Sequence, residues 1–107
     1  MKGVSRLSDQ NIEDVVFRAL YYQEVLAFVD EGGNTELTTY EIKLDEEHRP
    51  DLAAYRATGT ADLAWLVCLV SDVADPIDGL PVGEEIYLPS PAWIRSSMRA
   101  FIDKHGL

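Results

Sequence analysis

The sequence has little of what a cross-linked, membrane-spanning or metal-binding protein needs. It contains one cysteine and two histidines. A single cysteine cannot form an intramolecular disulfide, which excludes the disulfide framework of many small secreted domains. The longest nearly apolar run, residues 63–70, has eight residues, whereas a membrane-spanning helix needs about 20. No hydrophobic segment of the signal-peptide kind follows the N-terminus. We therefore expect the chain to be made and folded in a cytoplasm.

Basic residues are also scarce. Nine lysines and arginines stand against nineteen aspartates and glutamates, which gives a formal net charge of −10. A field of that sign repels phosphate backbones and anionic lipid headgroups. We therefore predict that the protein binds neither nucleic acid nor membrane. The acidic surface either keeps the protein soluble or attracts a basic protein partner.

The chain does have the apolar residues for one ordinary core. Its 107 residues are 47% hydrophobic, which suits one domain. Residues 9–21 predict a helix that Ser8 or Asp9 caps. Its apolar stripe comprises Ile12, Val15, Val16, Ala19 and Leu20. Residues 25–29 could continue the helix, but we favour a hairpin strand because residues 30–34 are rich in turn formers. The second strand, residues 37–44, alternates Tyr40, Ile42 and Leu44 with polar residues.

The second half of the chain carries clear start and stop signals. Pro50 suits the first turn of a short helix, which Gly59 can end. Thr60 can cap a second helix over residues 63–73, which is apolar nearly all round and so predicted to be buried. Residues 85–88 predict a strand, and Ser90 followed by proline starts a C-terminal helix that reaches about residue 103. The pattern predicts an α+β fold.

The residues that could carry chemistry do not form a catalytic set. No second histidine lies at metal-ligand spacing from either His48 or His105, and Cys68 lies among apolar residues. Asp72, Asp75 and Asp78 do not match a calcium-binding loop, which needs glycine at its sixth position and glutamate at its twelfth. We therefore predict that the protein is not an enzyme and holds no metal or cofactor.

One stretch carries the motifs of a known family. Residues 80–89 read Leu-Pro-Val-Gly-Glu-Glu-Ile-Tyr-Leu-Pro, and residues 49–55 read Arg-Pro-Asp-Leu-Ala-Ala-Tyr. Residues 59–67 read Gly-Thr-Ala-Asp-Leu-Ala-Trp-Leu-Val, and an Asp-Pro pair follows at residues 75–76. With the order strand, helix, helix, strand, these motifs resemble the LysM-like proteins of contractile phage tails, including the baseplate wedge family. The chain departs from them at residues 57–59, where Ala-Thr-Gly replaces Tyr-Gly, and at residues 71–72, where Ser-Asp replaces asparagine.

The resemblance implies a structural role. It implies a LysM-like βααβ core at residues 38–93, with an N-terminal assembly extension at 1–37 and a C-terminal helix at 94–107. Such a protein would occur in multiple copies in the virion, and in the host cytoplasm during assembly, and would join tube, sheath or wedge proteins of the tail and baseplate. The candidate interface or core residues are Tyr40, Pro50, Leu52, Trp65, Tyr87 and Trp93.

Two alternatives stay open. LysM-like modules elsewhere bind N-acetylglucosamine polymers, so the chain could be a carbohydrate-binding module for peptidoglycan. That function would need an open groove between the second strand and the helix starts. The chain could also be an enzyme subunit whose catalytic residues lie on another chain, although nothing in the sequence supports this.

Overall fold

The computed structural model describes residues 5–31 and 37–107. Within these ranges the chain forms four α-helices and one two-stranded antiparallel sheet, which confirms the α+β class. The helices are α1 (Val15–Asp30), α2 (Pro50–Thr58), α3 (Ala64–Val70) and α4 (Pro91–His105). The strands are β1 (Thr38–Glu41) and β2 (Glu85–Leu88). No described helix is long and apolar enough to cross a bilayer.

The sheet brings together two strands that α2 and α3 separate in the sequence. β1 pairs with β2 so that Thr38 lies opposite Leu88 and Tyr40 lies opposite Ile86. Ile86 and Leu88 are buried, whereas Tyr87 between them is 46% exposed, as expected for a strand with one face on the core. Beyond the strand, the N–H of Ile42 donates to the carbonyl of Glu84 over 3.0 Å. The pairing of β1 with β2 therefore joins the two ends of the segment that contains α2 and α3.

The helix ends lie close to the predicted signals. Pro50 occupies the first turn of α2, and Gly59 ends that helix in the left-handed conformation at φ +90°. The Thr60 hydroxyl accepts a hydrogen bond from the N–H of Asp62 over 3.1 Å. The Ser90 hydroxyl accepts from the N–H of Trp93, also over 3.1 Å, at the start of α4. These short-range signals are confirmed.

The second predicted helix is shorter than expected. Residues 61–63 form a turn of 3-10 helix, and α3 ends at Val70 rather than at residue 73. Asp72 takes a left-handed conformation at φ +58°, and the N–H of Val73 donates to the carbonyl of Cys68 over 2.9 Å. This pairing across the helix end matches a Schellman-type stop, which the sequence did not signal because glycine usually fills the left-handed position.

One core unites the described elements, including the N-terminal region. Ile12, Tyr21 and Val25 are fully buried in it beside residues of α2, α3, β2 and α4. The Tyr21 hydroxyl shares a 2.8 Å hydrogen bond with the Ser97 hydroxyl of α4. The Tyr21 ring also lies 5.5 Å from the Phe101 ring, in an edge-on arrangement. The N-terminal helix therefore packs against the same core as the rest of the chain.

The prediction of a strand at residues 25–29 is wrong. These residues complete α1, which runs without a break to Asp30. Val25 lies one helical turn after Tyr21, so both side chains reach the core from the same face. Phe28 stacks on Trp93 of α4 with ring centroids 4.0 Å apart. This packing overrides the strand preference of valine and phenylalanine. Most of the turn predicted at residues 30–34 lies outside the described residues.

The first helix also begins later than expected. Ser8 caps a turn of 3-10 helix at Asp9–Asn11, and α1 itself begins at Val15. The Asp14 carboxylate caps α1 by accepting from the N–H of Val16 over 2.8 Å. Between the two helices Ile12 takes an extended conformation, which directs the chain so that its side chain is fully buried. Ile12 therefore does not belong to the stripe on α1.

The strand predicted at residues 37–44 is also too long. β1 ends at Glu41, and Leu44 lies in a turn of 3-10 helix with 77% of its surface exposed. Ile42 is buried as its position in the alternation predicts. The Glu46 carboxylate accepts a hydrogen bond from the N–H of Lys43 over 2.7 Å, which turns the chain away from the sheet.

Candidate interaction surfaces

The outer face of α1 is apolar and exposed. Val15 is 73% exposed, Val16 69% and Leu20 49%, and Ala19 between them is exposed as well. We call these four residues the α1 stripe. The sequence predicted them as one stripe, and helical spacing does place them together. The opposite face of α1 already packs on the core, so the helix is apolar on both sides but covered on one.

Both candidate tryptophans lie between the N-terminal region and the rest of the chain. Trp65 of α3 stacks near Tyr22 with ring centroids 5.9 Å apart, and its indole N–H donates to the carbonyl of Leu7 over 2.8 Å. Trp93 of α4 stacks on Phe28. Both side chains are half-buried and pack against the core. The two side chains hold α1 and the segment before it against α3 and α4.

The other four candidate residues do not form one surface. Tyr40 and Tyr87 occupy neighbouring strands but opposite faces of the sheet, because Tyr40 pairs with Ile86 rather than with Tyr87. Pro50 and Leu52 are half-buried in the first turn of α2. Of the six candidate residues, Tyr40 and the two tryptophans pack against the core, and the strand register places Tyr40 and Tyr87 on different faces of the sheet.

A buried carboxylate occupies the junction between β1 and α2. Glu46 has no exposed surface and accepts hydrogen bonds from the Tyr40 hydroxyl and, over 2.9 Å, from Arg56 Nη1. Arg56 Nη2 also donates to Asp45 over 2.9 Å. The sequence did not reveal this cluster, because residues 45–50 look like an ordinary polar connector. Arg56 lies on α2, and only the folded arrangement of the segment before that helix places Asp45 and Glu46 beside it.

The protonation of this cluster follows from its contacts. Burial works to raise the pKa of Glu46, but the hydrogen bonds from Tyr40, Lys43 and Arg56 together hold that pKa below its ordinary value. Burial and the adjacent Glu46 carboxylate raise the pKa of Tyr40 to about 12. Glu46 is therefore an anion at neutral pH and Tyr40 its neutral donor. Because the hydrogen bonds of the Glu46 carboxylate come from the chain itself, the cluster is suited to stabilise the fold.

The space beside this cluster is occupied by a loop-to-loop contact. The N–H of Leu80 donates to the carbonyl of Glu47 over 2.6 Å, which joins the loop before α2 to the loop before β2. A Cβ atom added to Gly79 would lie 3.1 Å from Glu47 Cγ and 3.3 Å from His48 Cε1. The two loops are therefore in close contact, and Gly79 permits it by lacking a side chain.

The described surface has depressions, of which two are well formed. One, of about 520 Å³, lies beside α3 and is largely apolar; its lining residues include Tyr22, Trp65, Cys68, Leu69 and Val73. Burial raises the pKa of the Cys68 thiol, which agrees with an unreactive side chain rather than a nucleophile. The other, of about 340 Å³, is lined by Arg6, Arg95 and Arg99 and lies between the N-terminal segment and α4. The sequence placed Arg95 and Arg99 on one side of α4 but gave no sign that Arg6 joins them.

The remaining candidate ligands are dispersed. His105 packs between the rings of Phe17 and Phe101, with centroid distances of 5.1 and 4.3 Å. Asp75 caps the short turn that follows it by accepting from the N–H of Ile77 over 3.0 Å. Over residues 5–31 and 37–107, no three histidine, cysteine, aspartate or glutamate side chains are grouped so that they could hold a metal ion.

The chain matches no family model, no curated protein and no solved structure. What the protein does must therefore be inferred from its own residues and their arrangement.

Proposed function

We propose that the protein is a structural component of a contractile phage tail or baseplate, where it joins tube, sheath or wedge proteins by packing against them. The observation that carries this proposal is the α1 stripe. Scattered exposed apolar residues are ordinary on a protein surface, but four on one helix face form a continuous patch. A helix that is apolar on both sides is typically covered on both sides. A partner protein would supply the missing cover.

We also propose that the protein has a LysM-like core, and the order of its elements supports this. β1, α2, α3 and β2 follow one another in the chain, and the two strands pair antiparallel. The resemblance of residues 38–93 implies the same order. In this proposal the βααβ unit is a compact scaffold, and α1 and α4 extend it towards neighbouring subunits. The acidic surface would help select among partners by charge complementarity.

The contacts near the sheet favour assembly over carbohydrate binding. A peptidoglycan module would need an open groove between β1 and the helix starts. Among the described residues, Glu46 fills the β1–α2 junction with its hydrogen bonds turned inward, and Leu80 and Glu47 join the adjacent loops. A sugar would have to displace these contacts, whereas a protein partner on the α1 stripe would displace only water.

The experiment is co-purification of the tagged protein from a lysate that assembles the particle. Two variants are compared with the parent chain. One carries Val16→Glu and Leu20→Glu in the α1 stripe. The matched control carries Leu44→Glu and Ile77→Glu, which alter two isolated apolar residues that are 77% and 80% exposed and so add the same charge elsewhere. Circular dichroism verifies that each variant is folded.

We expect the parent chain and the control variant to co-purify with tube, sheath or wedge proteins, and the stripe variant to lose at least about tenfold of that signal, since a charge buried in an apolar contact is strongly disfavoured. Equal co-purification of all three proteins would remove the α1 stripe from the proposal. Saturable retention on purified peptidoglycan, with no protein partner, would establish the carbohydrate-binding alternative instead.

A further inference from the structure

The arginine-lined depression is the most unusual charged feature of this acidic protein. Three of its nine basic residues, Arg6, Arg95 and Arg99, converge on one space of about 340 Å³. We call this space the arginine cleft. Arg95 and Arg99 lie one helical turn apart on α4, an arrangement of like charges that is unfavourable on an isolated helix. An anion bound between them would remove that repulsion.

The arginines of the cleft differ from the other three in having no partner among residues 5–31 and 37–107. Arg49 pairs with Asp51 at 3.1 Å and Arg56 with Asp45 at 2.9 Å. Arg18 Nε donates to the carbonyl of Ile12 over 2.9 Å. By contrast, the three guanidiniums of the cleft make no ion pair or hydrogen bond with any residue in the described part of the chain. Their donors are therefore available to a ligand.

The rest of the cleft narrows the choice of ligand. The exposed Ser96 supplies a hydroxyl, while the floor is apolar, with Met98 almost fully buried and Ile102 half-buried. Asn11 shapes the opposite wall, since its side-chain amide donates to the carbonyls of Ser5 and Ser8 over 2.7 and 2.8 Å. Guanidinium groups present only donors, in a planar fork that fits a carboxylate or phosphate in two-point contact. The lining thus suits an anionic group beside an apolar one.

We propose that the arginine cleft binds an acidic segment of a protein partner, in which carboxylates flank an apolar side chain. The carboxylates would pair with the arginines and the apolar side chain would contact Met98 and Ile102. This inference rests on the proposed assembly role, which makes the partner a protein. The cleft would be a second contact site besides the α1 stripe. Asn11 in the cleft wall precedes Val15 of the stripe by four residues, so the two surfaces are neighbours along the chain.

The charge outside the cleft favours a short acidic segment over a nucleic acid. Only six basic residues remain there, against nineteen acidic ones. A long polyanion would extend beyond three guanidiniums into this repelling field. A peptide segment can place its few carboxylates in the cleft and end there. Its apolar side chain also gains from the floor, which a phosphate backbone would not use.

The experiment measures peptide binding to the purified full chain by fluorescence anisotropy. The probe is a labelled peptide that alternates leucine with glutamate, and its counterpart alternates leucine with glutamine. The variants are Arg95→Glu, Arg99→Glu and, as the matched control, Arg49→Glu, which makes the same charge change outside the cleft. Thermal melts verify folding. Inorganic phosphate and a single-stranded oligonucleotide serve as competitors, and sedimentation reports any self-association.

We expect the glutamate peptide to bind the parent chain and Arg49→Glu within about twofold of each other, and to bind either cleft variant at least about tenfold more weakly. Binding should weaken at about 1 M salt. Equal binding by all variants, or equal binding of the glutamine peptide, would overturn the inference. The inference would also be overturned if the glutamate peptide does not bind and the arginines are instead needed for binding an oligonucleotide or inorganic phosphate. Dimerisation that depends on these arginines, without peptide binding, would overturn it too. This assay uses only the purified chain, so its result does not depend on co-purification. The peptide can fail to bind while co-purification succeeds, or bind while co-purification fails, so the two proposals are tested separately.

Discussion

At the scale of single residues, Glu46 illustrates what a local reading of the sequence misses. It is one of three consecutive acidic residues in a segment that looks solvated, yet its side chain is the fully buried one. A buried carboxylate is tolerated only when it is paired and hydrogen-bonded. Tyr40, Lys43 and Arg56 provide those contacts from a strand, a turn and a helix. The signal therefore lies in the assembled fold and not in the spacing of the residues.

We predict that Glu46→Gln lowers the free energy of unfolding by about 2 kcal/mol at neutral pH. The charge assistance is lost, and one carboxylate oxygen that accepts hydrogen bonds is replaced by an NH2 group that faces donors. The variant should also be less sensitive to acid. The pKa of Glu46 in the folded protein lies below its ordinary value of 4.5. Its contribution is thus complete above that value and disappears as the pH falls through the folded-state pKa. Urea unfolding at a series of pH values measures both effects.

The matched control is Asp45→Asn, which alters the exposed carboxylate that shares Arg56. Exposed ion pairs contribute at most about 1 kcal/mol, so this variant should remain close to the parent chain. A parent chain whose stability does not fall between neutral pH and about pH 3, or a Glu46→Gln variant as stable as Asp45→Asn, would contradict the assigned role of Glu46.

At the scale of elements, the sequence predicted what depends on short-range chemistry. Pro50, Gly59, Thr60 and Ser90 mark helix ends because each acts through its own backbone or on a neighbouring N–H group. The strand at 85–88 is confirmed as well. The strand predicted at residues 25–29 is wrong because a five-residue apolar run fits a helix as well as a strand. Phe28 on Trp93, 65 positions away in the sequence, decides between them, and no local pattern contains that contact.

We predict that Ala27→Pro lowers the free energy of unfolding by about 3 kcal/mol or more, because proline in a helix interior removes a hydrogen bond and clashes with the preceding turn. The matched control is Ala61→Pro. Ala61 is the first residue of a 3-10 turn, and Thr60 before it is extended, which proline tolerates. Chemical denaturation measures both variants. Similar stabilities for Ala27→Pro and Ala61→Pro would argue against a helix at residues 25–29.

At the scale of the whole molecule, the fold class could be predicted and the two proposed binding surfaces only in part. The α1 stripe was visible as helical spacing, but whether it faces the core or the solvent depends on what the other side of α1 contacts. The arginine cleft was hidden because Arg6 and α4 are about 90 residues apart in the sequence and meet only after folding. Long-range packing thus determines which surfaces remain for partners.

The most direct test of the central claim is site-specific photo-crosslinking in assembled particles. A photo-reactive amino acid replaces Val16 in the α1 stripe and, as the control, the exposed Lys104 near the end of α4. After irradiation, mass spectrometry identifies what each position has captured. We expect position 16 to crosslink to a tube, sheath or wedge protein, and position 104 to give far less of that product. Incorporation of the protein with no crosslink from position 16, or its absence from the particles, would contradict the claim that α1 docks this protein in a tail.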